Sequence, residues 1–134
     1  MSIKLIRLFT GEDGQSHFVL GSIEWHHLET VNAVSCMEPA QGLHFEETKA
    51  GASLDWHNAP HRQYVITLSG RLEFETRAGV RQVVEPGDVL LAEDTSGGGH
   101  RWRLIEPRCK FPRVSSAFAP LGGSMLSVLL VGRV

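Results

Sequence analysis

The sequence predicts a single all-β domain, built as a sandwich or a barrel. From residue 43 onward, short β-prone runs are separated by glycine or proline at regular intervals, which is typical of such folds. The 134 residues are about the size of one ordinary domain. Because no repeat, low-complexity tract or linker interrupts them, we expect residues 1–134 to fold as one unit.

The N-terminal part of the domain, residues 1–41, is predicted to lie outside the central barrel. Its segments are a strand at 3–9, a turn at 10–14, a strand at 16–23 and an irregular stretch at 24–41. Asn32, Ser35 and Pro39 disfavour a helix in the last of these, so it contains at most a short one. We expect this part to cover the barrel or to form a dimer arm.

The central part, residues 43–104, supplies the strands of the barrel itself. They are predicted at 43–48, 53–57, 63–69, 71–77, 80–84, 89–92 and 100–105. In the third of these, Tyr64, Ile66 and Leu68 share one face, and Val65 gives the other face an apolar group as well. Its outer side is therefore expected to be covered, by the N-terminal strands or by a second subunit. We predict a homodimer.

The C-terminal part, residues 111–134, is predicted to close the barrel. Prolines punctuate its beginning, so the run at 113–118 is expected to be an edge strand. The run at 125–131 is almost entirely apolar and is expected to be internal.

Composition excludes several classes of partner. The formal net charge is −2 and the basic residues are scattered, so neither nucleic acid nor an anionic membrane is an expected partner. Cys36 and Cys109 have no CxxC spacing and are interpreted as reduced thiols of a cytoplasmic protein. No apolar run reaches the length needed to cross a bilayer.

Two histidine-bearing blocks carry the functional signal. The first is DWHNAPHRQYVITLSG at 55–70, with His57 near its start, and the second is EPGDVLLAEDTSGGGHRWR at 85–103, which contains His100. In each block a histidine lies at one end of an apolar, β-prone run.

In these blocks the chain resembles the cupin superfamily, and more narrowly the small single-domain bacterial cupins with a WHNAP-type motif. His57 and Gly70 fit the first cupin motif, with Gln63 at its acidic position and Ala59 at its second histidine position. In the second motif, Gly87 and Asp88 fit the opening and His100 lies about where the motif histidine belongs, but residues 95–99 replace its P-x-G element. The resemblance implies a double-stranded β-helix, the jelly-roll β-barrel, often dimeric, with an internal metal on three histidines and one glutamate.

A degenerate version of that metal site is the corresponding expectation. Its candidate ligands are His57, His61, Gln63 and His100, and its candidate metals are Fe, Mn, Ni or Zn. His61 is included because in an extended strand it points the same way as Gln63; the alternative is a position in the preceding turn, pointing to solvent. Since Gln63 is neutral where the motif has a carboxylate, affinity for a divalent cation falls, and a protein without any metal is the alternative.

Two functions follow from these residues, both with a small organic molecule as ligand. One is an enzyme, either a metal-dependent dioxygenase or an isomerase or lyase in which His57 and His100 act as general acid and base. Gln63, Tyr64 and Trp102 are then expected to contact the ligand. The other is a non-catalytic binding or sensing module without metal; a third possibility is an oligomer whose cavity has no function.

Two remaining features receive structural interpretations. The glycine run at 96–99 lacks the spacing of a phosphate loop and is expected to form a mobile lip over the cavity. Glu93 and Asp94 precede it and could act as acid or base, but loop carboxylates are usually solvated.

Overall fold

The structure, a computed structural model, describes residues 2–28, 30–105 and 125–132, with the backbone alone for His27 and Leu28. All regular secondary structure in these residues is β. The strands are β1 (Lys4–Thr10), β2 (Ser16–Ser22), β3 (His27–Leu28), β4 (Ala33–Val34), β5 (Ala40–Thr48), β6 (Ser53–His57), β7 (Gln63–Ser69), β8 (Leu72–Thr76), β9 (Arg81–Val84), β10 (Val89–Ala92), β11 (His100–Leu104) and β12 (Met125–Gly132). The predicted all-β class is confirmed.

The larger sheet has six strands in the order β2, β1, β10, β7, β12, β5. Its pairings are antiparallel except that of β1 with β10, which is parallel and aligns Ile6 with Leu90. In β10, β7 and β12, the register brings Leu90, Val65 and Leu129 into one row. Since side chains alternate along a strand, this row fixes which residues of each strand face the domain interior.

The smaller sheet has four antiparallel strands in the order β6, β11, β8, β9. Its central strand β11 pairs with β8 over its whole length and with β6 across a register shift between His100 and Trp102. This irregularity lies directly beside His100. Bulges of this kind locally re-aim side chains.

The core lies between the two sheets. Its buried members are Ile6, Leu8, Leu90 and Met125 of the larger sheet and Leu72, Phe74, Val84 and Leu104 of the smaller one. The alternating pattern of β8 explains its share of the core, because Leu72 and Phe74 face inward while Glu73 and Glu75 form ion pairs on the outer face.

The N-terminal region adds two strands to the larger sheet and a small sheet of its own. β1 and β2 extend the larger sheet beyond β10 instead of covering the outer side of β7. Residues 24–41 contain no helix where the structure describes them; β3 and β4 form a small two-stranded sheet. The predicted strand at 113–118 and Cys109 lie outside the described residues, and Cys36 is an exposed free thiol.

Candidate functional site

Two imidazoles face each other across neighbouring strands of the smaller sheet. His57 at the end of β6 is the direct register partner of His100 at the start of β11. Their ring centroids are 4.4 Å apart, with the planes inclined at 62° in an edge-to-face arrangement. Residues that lie opposite each other on antiparallel strands share a face, so the pairing itself brings the two rings together.

Gly99 makes this close approach possible. Its φ is +70°, and a Cβ atom at this position would lie 2.3 Å from the carbonyl oxygen of His57. Only glycine combines this left-handed backbone with such contact. The glycine immediately before His100 is thus required by the geometry of the histidine pair.

A buried carboxylate lies behind His100. The Oδ2 atom of Asp94 is 2.6 Å from Nδ1 of His100 and accepts a hydrogen bond from the Ser16 hydroxyl at 2.7 Å. Asp94, His100 and Ser16 are 0%, 3% and 2% exposed. The expectation of a solvated loop carboxylate is therefore wrong for Asp94. Every second side chain along a strand lies on the same face, so Asp94 follows Leu90 and Ala92 of β10 on the inward face. This alternation was the sequence signal for the burial of Asp94.

These contacts determine which nitrogen of each ring carries hydrogen. Oδ2 of Asp94 serves as acceptor, so Nδ1 of His100 donates to it. Nδ1 of His57 lies 2.7 Å from the carbonyl oxygen of Asp55, which can only accept, so this nitrogen donates as well. Both neutral rings then hold a lone pair on Nε2.

Nε2 of His100 is open to the space between the sheets. It has no hydrogen-bond partner among the described residues. In these residues the fully buried side-chain atoms without a partner are Thr67 Oγ1, Thr76 Oγ1 and Asp94 Oδ1, so Nε2 of His100 is not fully buried. The nitrogen is thus available to a ligand.

Both histidines line a cavity of about 510 Å³ between the two sheets. Its apolar wall consists of Leu54, Ala59, Pro60, Val65, Leu72, Phe74, Leu90, Ala92, Trp102 and Leu129, and its polar wall of His44, Glu46, His57, Asn58, His61, Gln63, His100 and Ser127. An apolar pocket with a few converging polar groups is the usual form of a small-molecule site.

The structure brings most of the predicted site residues together. His57, His61, Gln63, His100 and Trp102 all line the cavity, and His61 is exposed. Tyr64 is the exception. It alternates with Gln63 and Val65 and so lies on the other face of β7, where the Arg62 guanidinium is 5.6 Å from its ring centre. The prediction that Tyr64 would wall the pocket is corrected accordingly.

His44 and Glu46 of β5 also line the cavity, although the sequence interpretation did not single them out. Their signal was the alternation of β5, in which His44 and Glu46 share one face and Leu43 and Phe45 the other. The pattern was ambiguous because the outward face is the more apolar one.

The donor set fits a metal ion only in part. Two imidazoles with Nδ1 held by an oxygen acceptor resemble metal ligands, whose second nitrogen is usually anchored in this way. However, Ala59 offers no donor and Gln63 offers no charge. Across residues 2–28, 30–105 and 125–132, no group of three histidine, cysteine, aspartate or glutamate side chains is arranged to hold a metal.

A network of ion pairs surrounds Glu93, the residue before Asp94. Glu93 accepts hydrogen bonds from the guanidinium groups of Arg7 and Arg62. Burial raises the pKa of Glu93, but the two guanidinium groups outweigh this effect and hold the pKa below its usual value; reciprocally, the bond to Glu93 raises the pKa of Arg62. The network links β1 to the connection between β6 and β7.

The glycine loop is attached to its surroundings at several points. Asn58 donates to the carbonyl oxygen of Gly97, and Arg77 donates to that of Gly98. The Gly98 amide donates to the carbonyl oxygen of Gly14. None of residues 95–99 lines the cavity, so the expected lip over it is not observed.

A shallower hollow of about 430 Å³ lies on the outer face of the smaller sheet. Its charged side chains pair with one another, as in Arg101 with Glu75 and Arg103 with Glu73. No unpaired buried group points to a ligand there.

Comparison of the chain with protein-family models found no match, and comparison with curated proteins also found none. No helix in the part of the chain that the structure describes is long and apolar enough to cross a membrane.

Proposed function

We propose that the chain binds a small organic molecule in the cavity between its sheets and exchanges a proton with it, as an isomerase or lyase does. The observation that carries this proposal is the contact between His57 and His100 inside the cavity, with the buried carboxylate of Asp94 behind one ring. Buried, paired titratable groups at a cavity wall are typical of acid and base catalysis.

The surroundings give the two histidines different roles. When Nε2 of His100 accepts a proton from the ligand, the positive charge of the ring is neutralised by Asp94 at 2.6 Å. His57 has a backbone carbonyl behind Nδ1 and, among the described residues, no carboxylate. His100 is therefore the general base. The same proton returns to the ligand in an isomerase, or passes to the leaving group in a lyase.

Proton exchange can be measured without knowing the product. Ligands retained by the purified protein would be identified by mass spectrometry, added back in D2O and followed for deuterium at carbon. We expect incorporation with the native protein, its loss with His100→Ala, and no change with Tyr64→Phe, which alters the opposite face of β7. Exchange that persists in His100→Ala would refute the assignment.

The second candidate function is non-catalytic binding or sensing. It is favoured by Gln63 and Ala59 at positions where the cupin motif has ligands. In that case a retained ligand binds to the native protein but shows no deuterium incorporation in any variant. A metal-dependent dioxygenase is the third candidate, and it requires ligands beyond the two imidazoles.

The proposed architecture is the cupin double-stranded β-helix. Two facing sheets, short strands and a cavity lined from both motif blocks support it. We also propose a homodimer in the cytoplasm. Support for the dimer comes from the outer face of the larger sheet, where Phe45, Leu68 and Leu126 are 75%, 53% and 46% exposed.

A further inference from the structure

The cavity wall is rich in hydrogen-bond acceptors. Nε2 of His57 and of His100 each hold a lone pair, because the Nδ1 hydrogens are committed to the Asp55 carbonyl and to Asp94. Glu46, on the facing sheet, adds a carboxylate to the same cavity. The site is therefore prepared to receive hydrogens from a ligand.

No lysine or arginine accompanies these acceptors among the described residues that line the cavity. The arginines that neighbour the lining residues in the sequence form ion pairs outside the cavity. Arg62 binds Glu93, whereas Arg101 and Arg103 pair with Glu75 and Glu73 on the outer face of the smaller sheet. Among the described residues of the wall, Glu46 is the one aspartate, glutamate, lysine or arginine, so the fixed charge that these residue types contribute is negative.

This distribution discriminates between ligands by charge. An anion that enters an apolar cavity without a cationic partner loses its hydration and gains no compensating ion pair. A protonated amine, by contrast, offers N–H donors to Nε2 of His57 and a positive charge to Glu46, which leaves Nε2 of His100 for proton transfer. The rings of Phe74 and Trp102, which also line the cavity, attract cations as well.

We propose that the ligand is a small organic amine, bound in its protonated form with its apolar body against the aliphatic and aromatic wall. The inference rests on the proposed function and specifies its substrate class. It would not hold for carboxylates, phosphates or sulfates of similar size.

Three probes with the same ring and different charges test the inference directly: benzylamine, benzyl alcohol and benzoate, titrated at pH 7.5 and followed by NMR of the protein. We expect the amine to bind more tightly than the alcohol, and benzoate to bind most weakly. Glu46→Gln should weaken the binding of benzylamine by about two- to fivefold, which is the modest effect of an exposed ion pair. It should leave the affinity for benzyl alcohol unchanged.

Glu47→Gln is the matched control, because Glu47 is the next residue on β5 and faces away from the cavity. It should leave all three affinities unchanged. Tighter binding of benzoate than of benzylamine would overturn the amine class and leave the proposed function standing. Failure of all three probes to bind would also overturn it, while the deuterium experiment judges the proposed function separately.

Discussion

The Oδ2 atom of Asp94 lies 2.6 Å from Nδ1 of His100 and also accepts a hydrogen bond from Ser16. Because all three side chains are buried, removing one donor leaves the carboxylate poorly solvated. Ser16→Ala is expected to lower the free energy of unfolding by about 1.5 to 3 kcal/mol in urea denaturation. Ser35→Ala, at an exposed hydroxyl, is the control and should cost less than about 0.5 kcal/mol. Equal effects of the two changes would contradict a buried Ser16–Asp94 bond.

Gly99 provides a test of how the histidine pair is held. In Gly99→Ala the new methyl group would meet the His57 carbonyl, so we expect a loss of about 2 to 5 kcal/mol and shifted NMR signals of the His57 ring. Gly51→Ala shares the positive φ but has open space around it, so it should cost only about 1 kcal/mol. The two variants can be compared by thermal denaturation. If both lost equally little stability, the close approach would be refuted.

The ion pairs of Glu93 predict a dependence of stability on pH. The folded state holds the pKa of Glu93 below its usual value of 4.5, so the stabilisation is complete above that pH and is lost as pH falls through the folded pKa. Glu93→Gln should therefore cost about 1 kcal/mol at pH 7, and its deficit relative to the native protein should shrink as the pH is lowered below 4.5. Urea titrations across this range measure it. Glu24→Gln, at an 87% exposed side chain, should show a constant small difference.

Metal binding can be decided by restoring the missing ligands. Fe, Mn, Ni or Zn added to the native protein should change its melting temperature by less than about 2 °C, because two imidazoles and a neutral amide bind weakly. The double variant Ala59→His and Gln63→Glu should gain several degrees with the same ions. A large gain by the native protein that His57→Ala abolishes would show that a metal site exists without these ligands.

The exposed face of the larger sheet is the expected dimer interface. Light scattering should give twice the chain mass of 14.8 kDa for the native protein and a single chain mass for Phe45→Asp. Val80→Asp introduces the same charge at a 49% exposed position in the turn between β8 and β9 and should remain dimeric. A native protein with the mass of one chain would remove the proposal.

The sequence predicted much of the fold because alternation and glycine turns act locally. β6, β7 and β10 begin and end where the pattern indicated. His57, Gln63 and His100 line one cavity, and their candidacy came from the resemblance to cupins. The contact between Ser16 and Asp94 could not be predicted because it is long-range. Ser16 on β2 reaches Asp94 past the intervening strand β1, and no local pattern indicates a contact between residues so far apart.

Tyr64 shows how an ambiguous strand misleads. Both faces of β7 carry large groups, so the hydrophobic pattern did not decide which side faces the ligand. Gln63 lines the cavity, and neighbouring residues of a strand face opposite sides, so Tyr64 lies outside the cavity. The same ambiguity explains why His44 and Glu46 were not predicted, because the outward face of β5 is more apolar than the inward face.

The bond between Ser16 and Asp94 joins positions 78 residues apart, and the parallel pairing of β1 with β10 spans a similar separation. Loops of this length are costly in entropy to close, and contacts across them tend to form late in folding. The two histidines can meet as soon as their own strands pair, and Asp94 is only six residues from His100, but the carboxylate gains its Ser16 donor only when the β1–β2 hairpin docks. A newly made chain would therefore bring its two histidines together before the carboxylate behind one of them is fixed in position.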